Sequence, residues 1–538
     1  MTGAAAAGGA GTAGGPWDGT GPQNLGVGSW PARRARMDPD RTALTQGERH
    51  RTYAVLARRC ARLAGLLAAS GVGPGDRVAY LGPNDLTTLE TFFATGLLGA
   101  LFVPLNTRLA PPELQALLAD AEPAVLLVDP ELEPVARELA VPAPVRRTLA
   151  VGGALDDEID AASPVTPAAV TLDDPSTVLY TSGTTGRPKG VVLTHGNVTW
   201  NTMNQLAHMD IAGTDLAVCV APLFHATGLG QITLPTLFKG GAVEVARRFD
   251  PAAMLAMIGE RRVTSFSAVP TMLQMLCEHP DWDGADLSSL RFVNYGGSPV
   301  AERVALAWLA RGVRVVQGYG MTEAAPGVYL ALQSGAPEHP VSVGVPHFFT
   351  DVAHVVEGGG GGGGVGGGPD GSGGPQLRPL RPGVAAELAV RGPHVFAGYW
   401  NQPEVTAASL VGGQWFRSGD VVRADEDGWA HVVDRVKDMF ISGGENVYPG
   451  EVEAVAAQLE AVAGCAVVGV PDERWGEAGA AYVEVREGYT LTVEELRRHF
   501  EGRLARYKIP RDVHLVEQLP RSATGKIRRT QLRGGTAG

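Results

Sequence analysis

Between Tyr53 and Leu67 apolar residues return every three or four positions, with Arg58, Arg59 and Arg62 on the intervening face. This is the pattern of an amphipathic helix. Gly71 to Gly75 stop it, and Arg77 to Leu81 reads as a short strand. Alternation continues with a helix over Leu86 to Leu98, a strand over Ala100 to Leu105, a helix over Leu114 to Ala121 and a strand over Ala124 to Val128. Val178 and Leu179 close a further apolar run. Downstream, strands are predicted at Ala217 to Ala221, Ala242 to Val245, Ser265 to Val269, Arg291 to Asn294 and Val313 to Gln317. Helices are predicted at Pro251 to Glu260 and Thr271 to Cys277. Strands alternating with helices predict parallel sheets covered on both faces.

The pattern lapses in two places. Met1 to about Gly28 is rich in Gly and Ala with almost no large apolar side chain, which predicts a disordered tail over 1–28 and structure from about Trp30. Gly358 to Gly374 is nearly all glycine, so 358–375 reads as a flexible loop. Its flanks, Asp351 to Val356 and Ala386 to Val390, read as two strands of one antiparallel hairpin, which argues against a linker between domains. Beyond Asp434 the pattern predicts a helix over Val452 to Leu459, strands at Cys465 to Val470 and Ala480 to Val485, and a helix over Val493 to Leu504 capped by Thr492. That stretch suits a small α+β domain.

A chain of 538 residues exceeds a single core and predicts two or more domains. The net charge of −12 argues against general binding to nucleic acid or anionic membranes, so any phosphate-binding charge is local. Cys60, Cys219, Cys277 and Cys465 are too scattered for a metal or redox pair and read as small hydrophobes of a reducing compartment. No apolar run reaches the roughly 18 residues of a transmembrane segment. The N-terminus lacks the basic segment of a secretory signal, and a cytoplasmic protein is expected.

The densest chemistry lies in Tyr180-Thr181-Ser182-Gly183-Thr184-Thr185-Gly186-Arg187-Pro188-Lys189-Gly190. Two glycines let backbone N–H groups approach an anion. Four hydroxyls and two cations add donors, a set suited to a nucleotide polyphosphate. A P-loop needs Gly, four residues, then Gly-Lys-Ser/Thr. Here Gly183 and Gly186 are too close together, and Gly190 follows Lys189 where that loop needs a hydroxyl. The Walker reading fails.

Thr181 to Gly190 instead resembles the phosphate loop of the adenylate-forming superfamily: acyl- and aryl-CoA synthetases, adenylation domains of peptide synthetases, and luciferases. Further motifs follow in the family order from about Trp30 to Lys526. In Gly318-Tyr319-Gly320-Met321-Thr322-Glu323 the resemblance implies that Tyr319 stacks on adenine, Thr322 binds the α-phosphate and Glu323 holds Mg²⁺, with Gly320 and Met321 in the same wall. Asn294 to Pro299, with Gly297 and Ser298, resembles the other wall of the adenine and acyl sites. Asp420 of Trp415 to Asp420 matches the ribose carboxylate, and Arg435 of Asp434-Arg435-Val436-Lys437-Asp438 its ribose or phosphate partner. Lys437 matches the hinge. The Ser442-Gly443-Gly444-Glu445 stretch matches the loop that enters for thioester formation. Lys526 in Arg521 to Ile527 matches the catalytic lysine, and His225 in Pro222 to Gly228 the acyl site near the carboxylate.

The resemblance implies an α/β fold: a large N-terminal AMP-binding domain over 29–436, with two parallel-type sheets and a small distorted β-barrel, and a small mobile α+β domain over 437–538. It implies an AMP-forming acyl-CoA synthetase using ATP, Mg²⁺ and CoA. A carboxylate attacks the α-phosphate of ATP, and after the C-terminal domain turns about Lys437, CoA thiolate displaces AMP. A medium- or long-chain fatty acid is the expected substrate. An aryl or alicyclic acid, or an adenylating enzyme without CoA turnover, is the alternative. The expected partners are small molecules, with no nucleic acid and no transmembrane segment; a homodimer stays open. A peptide-synthetase domain would carry an aspartate near His225 and be followed by a carrier domain. A serine acyl hydrolase is excluded because no Gly-x-Ser-x-Gly occurs.

Overall fold

The computed structural model of the chain describes residues 23–139, 145–181, 189–297, 300, 302–332, 335, 338–339, 341–356, 375–442, 445–472, 475–501, 503–504, 506–522 and 525–533. Two compact units emerge from its contacts. One draws on Met1–Met203, Ile211–Arg248 and Phe396–Asn401, the other on Asn204–Asp210, Phe249–Val395 and Gln402–Gly538. The fold is α/β.

In the first unit, Leu101–Leu105, Arg77–Leu81, Val125–Val128 and Arg147–Ala150 lie side by side as parallel strands. Pro175–Thr181 joins the Leu101 edge in parallel, and Lys189–Thr194 then pairs with it antiparallel. Leu86–Leu98 is buried at all 13 of its positions, the four threonines and Glu90 among them, so its polar groups need partners inside the protein. Asp85 caps it, accepting from the N–H of Thr87. Glu90, fully buried within this helix, is neutralised by Arg59 at 2.7 Å and Arg51 at 3.0 Å. A smaller group of strands, Leu216–Cys219, Ala242–Val245 and Thr42–Gln46, is also parallel.

The expected tail to Gly28 is corrected from Asn24 onward; residues 1–22 lie outside the described residues. Asn24 donates to the carbonyls of Gly96 and Ala168, and Gly28 packs so tightly on helix Leu86–Leu98 that a Cβ would lie 2.3 Å from the Gly96 carbonyl carbon. Small residues permit that approach, where composition alone suggested disorder. The glycine-rich stretch 357–374 likewise lies outside the described residues.

In the second unit, Ser265–Ala268, Phe292–Gly296 and Arg314–Gly320 run parallel, and Gly327–Leu330 pairs antiparallel with the last. A separate antiparallel sheet pairs Asp351–Val356 with Ala385–Arg391, and that strand with Trp415–Ala424. The expected hairpin pairing is present, but a third strand, Gln376–Arg378, takes the other edge of Asp351–Val356. The connection is therefore a three-strand return. The C-terminal sheet is formed by Glu445–Val447, Phe440–Ser442, Gly476–Val485, Val462–Asp472 and Asp512–Val516. Val447, Val452, Val467, Val483, Leu496 and Phe500 form its core. Thr492 caps Val493–Phe500 in a capping box with Glu495. That helix stops at Phe500 rather than Leu504, because Glu501 turns extended. No helix among the described residues is long and apolar enough to cross a membrane.

Candidate active site

The strand Arg314–Gly320 runs further than its apolar pattern, because Gly318, Tyr319 and Gly320 pair with Leu330, Tyr329 and Gly327. The turn that follows therefore begins at Met321. Its closure is tight: the Met321 N–H donates to the Pro326 carbonyl at 2.9 Å, and a Cβ on Gly320 would lie 1.7 Å from that same oxygen. Only glycine fits there. Thr322 and Glu323 are carried on this closed turn, in the short 3₁₀ segment Thr322–Ala324.

Tyr319 points its hydroxyl at Asp420, donating to Oδ2 at 2.7 Å. Asp420 lies opposite Arg435 in the adjacent strand, and Arg435 Nε reaches Asp420 Oδ1 at 3.0 Å. The Asp420 N–H donates to Ser418 Oγ at 3.1 Å, and Ser418 in turn donates to the Leu388 carbonyl at 2.7 Å. Gly419 reaches a φ of +70°, the left-handed region that glycine adopts without strain. Burial and then the Asp420 carboxylate push the Tyr319 phenol well above its ordinary pKa, so it stays a donor.

Lys526 follows a turn closed by the Ser522 N–H donating to the Lys526 carbonyl at 2.7 Å and the Lys526 N–H to Ser522 Oγ at 3.2 Å. Desolvation first, then Arg435 and Lys437, lower the pKa of its ammonium, while Asp420 and Glu323 oppose them. The fold thus brings Lys526 within electrostatic reach of four residues far from it in the sequence. Lys437 is also lowered, by desolvation and then Arg435. Arg435, Lys437 and Lys526 act on one another here, opposed by Asp420, Glu323 and Asp438.

Other predicted residues are placed as follows. Thr181 and Lys189 face each other across the antiparallel pair, so Ser182 to Gly186 connect two strand ends; residues 182–188 themselves lie outside the described residues. The Lys189 ammonium sits 4.8 Å from the centroid of the Tyr399 ring, a cation–π contact. His225 opens the five-residue helix Ala226–Gly230, its ring 4.8 Å from that of Phe224. Gly297 has a φ of +92° and open space where a side chain would stand, while Ser298 lies outside the described residues. Ser442 is buried and registers with Glu445 across a tight pair, with Gly443 and Gly444 outside the described residues. Ser418, which orients Asp420, went unassigned although it stands inside the quoted motif. Its hydroxyl two residues before a carboxylate was the signal.

Residues 31–400 match the family model of the AMP-binding enzymes, and residues 451–526 that of the AMP-binding enzyme C-terminal domain. A feruloyl-CoA synthase of an Amycolatopsis species is 49% identical over 95% of this chain and 99% of its own. An indoleacetate–CoA ligase of Aromatoleum aromaticum is 39% identical over 94% of this chain and 97% of its own. Among solved structures, a fatty acyl CoA synthetase of Mycobacterium tuberculosis aligns with a TM-score of 0.74 at 33% identity, covering 95% of this chain and 98% of its own.

Proposed function

The chain belongs to the AMP-binding enzyme family, and we propose that it activates an aromatic carboxylic acid as the acyl-adenylate and passes the acyl group to coenzyme A. Within that family it is an AMP-forming acid–thiol ligase. The observation that carries the adenylating step is the Tyr319–Asp420–Arg435 cluster, whose charges act on Lys526 together with that of Glu323, from segments about two hundred positions apart. The sequence favoured a fatty acid. Relatives named for ferulate and indoleacetate, at 49% and 39% identity against 35% for a long-chain-fatty-acid–CoA ligase of Mycobacterium tuberculosis, support an aromatic substrate instead.

In this reading Asp420 and Arg435 bind the ribose, Tyr319 offers its ring to adenine, and Thr322 takes the α-phosphate. Thr181, the Ser182 to Gly186 loop and Lys189 hold the outer phosphates. Gly297 and Ser298 flank the adenine, and His225 the acid. An acid oxygen attacks the α-phosphorus, the new O–P bond forms, and the bond to pyrophosphate breaks. Lys526 stabilises the charge that builds on both sides of that phosphorus, so positioning and electrostatics supply most of the catalysis. Glu323 offers one hard oxygen, and among the described residues no group of three or more His, Cys, Asp or Glu could hold a metal. Glu323 would supply one oxygen ligand to a magnesium ion carried by the triphosphate, which suits a cation rarely held by an all-protein cage. When bound, that ion neutralises phosphate charge. The C-terminal domain then turns about Lys437 and the Ser442 to Glu445 loop replaces Lys526. The CoA thiolate attacks the carbonyl carbon, a C–S bond forms, and AMP leaves.

The test is a panel of carboxylates: a hydroxycinnamate, an arylacetate, decanoate and palmitate, each assayed for AMP release with and without CoA. The highest kcat/KM for one of the aromatic acids, with CoA-dependent turnover, is the expected result. A preference for decanoate or palmitate would overturn the substrate class, and equal AMP release without CoA the ligase reading.

A further inference from the structure

Helix Pro449–Ala456 begins without a cap of its own, since the Tyr448 side chain makes no bond to the first turn. The first N–H groups of any helix lack intrahelical partners. Here the Gly450 N–H donates to Asp434 Oδ2 at 2.7 Å, from a carboxylate sixteen positions earlier in the chain. The other oxygen, Asp434 Oδ1, accepts from the Arg435 N–H at 2.7 Å. Asp434 is buried, at 8% exposure, so water cannot readily replace either donor. The backbones approach closely as well: a Cβ on Gly450 would lie 2.6 Å from the Val433 carbonyl oxygen. Beside this contact, Glu451 stands 3.9 Å from Arg423.

Asp434 and Arg423 both belong to paired strands, with Asp434 opposite Val421 and Arg423 opposite His431. The groups after Lys437 are bound to one another instead. Asp438 lies 3.5 Å from both Arg529 and Arg533. Arg529 grips both Glu453 oxygens, at 2.8 and 2.7 Å. Helix Pro449–Ala456, the start of the C-terminal segment and the residues just after Lys526 are therefore joined into one body by these ion pairs. The Asp434 to Gly450 bond ties that body back to the sheet that precedes Lys437.

Resting on the reading of Lys437 as the pivot, we propose that Asp434 is a positioning residue for adenylation. Its carboxylate caps helix Pro449–Ala456 across the pivot and latches the arrangement in which Lys526 stands by Asp420 and Glu323. Turning about Lys437 carries Gly450 away, while Asp434 stays in register with Val421. The cap is lost on the way to the CoA step, so the latch weights the enzyme toward the first half-reaction.

The test uses the full-length protein with Asp434→Asn, Asp434→Ala and Gly450→Ala. Acid-dependent ATP–pyrophosphate exchange reads adenylation, and CoA-dependent thioester formation from a supplied acyl-adenylate reads the second step. Exchange by Asp434→Ala and Gly450→Ala should fall about three- to thirtyfold, the weight of one helix cap. Thioester formation should hold steady or quicken. Asp434→Asn keeps an acceptor oxygen and a near-native shape, so its exchange should fall less, and it guards against loss of fold in the other two. Equal loss of both half-reactions, or exchange within twofold of the parent in all three variants, would overturn the latch and leave the ligase reading standing. A parent enzyme that exchanges pyrophosphate yet makes no thioester from supplied adenylate would overturn the ligase and pivot reading, and the latch with it.

Discussion

Replacing Tyr319 by Phe deletes one hydroxyl and leaves the ring in place. The hydroxyl donates to a carboxylate at 2.7 Å, a charge-assisted bond. Such bonds contribute about 1.5–3 kcal/mol when neither partner can turn to water. The Asp420 side chain is 8% exposed and keeps Arg435 at 3.0 Å, so part of the loss is recovered and about 1–2 kcal/mol remains. If Asp420 binds the ribose hydroxyls, that loss falls on ATP binding in ground and transition states alike. KM for ATP should therefore rise about 5- to 30-fold with kcat nearly unchanged. Initial rates of AMP release at varied ATP and saturating acid and CoA measure both constants. Tyr319→Leu, which removes the ring as well, should raise KM further if the ring stacks on adenine. An unchanged KM in Tyr319→Phe, or a kcat that falls as much as kcat/KM, would refute the assignment of Asp420 as an oriented ground-state ligand.

Lys526→Ala should reduce pyrophosphate exchange by about 10²-fold or more, the scale of losing one preorganised charge, and spare thioester formation from supplied adenylate; loss of both with the fold intact would contradict that division. Because the Lys526 pKa is lowered, its ammonium deprotonates earlier than an ordinary lysine as pH rises, so exchange should decline on the alkaline side. Asp420→Asn removes a carboxylate that opposes the shift and should move that limb to lower pH, which exchange rates across pH would reveal. In the other unit, Glu90→Gln strips the partner from two guanidinium groups, one of them buried. It should cost about 3 kcal/mol in urea unfolding, and a cost under about 1 kcal/mol would show that Asp156 suffices for Arg59.

Where the chain's pattern was local, it was legible. The strand Arg77–Leu81 and the approximate span of helix Leu86–Leu98 were readable because Gly, Pro, Asn and Asp at 82–85 separate a short apolar strand from a segment with apolar residues at helical spacing. Thr492 was readable as a cap from its hydroxyl immediately before the helical period, and the structure adds its capping box with Glu495. Strand Gln376–Arg378 was not, since three residues carry too few alternations to register as a pattern. Nor was the extension of Arg314–Gly320 through two glycines, which is held by its partner strand rather than by its own side chains. Asn24 to Gly28 misled for a related reason: glycine that permits close packing has the same composition as glycine that permits disorder.

The Tyr180 to Gly190 stretch was legible from its own residue types as suited to a polyphosphate, while the Tyr319 to Glu323 stretch, Asp420, Arg435, Lys437 and Lys526 were marked by their resemblance to the family's motifs. Their partners were not. Asp420 meets Arg435 because Trp415–Ala424 and Ala430–Arg435 pair in one register, and a slip of one position would turn the carboxylate to the other face. Asp434 meets Gly450 because a helix start without its own cap comes to rest against a buried carboxylate. Residue type determined which groups could donate, accept or carry charge. Register and packing between distant segments decided which of them meet, because those contacts depend on distances that no local period encodes.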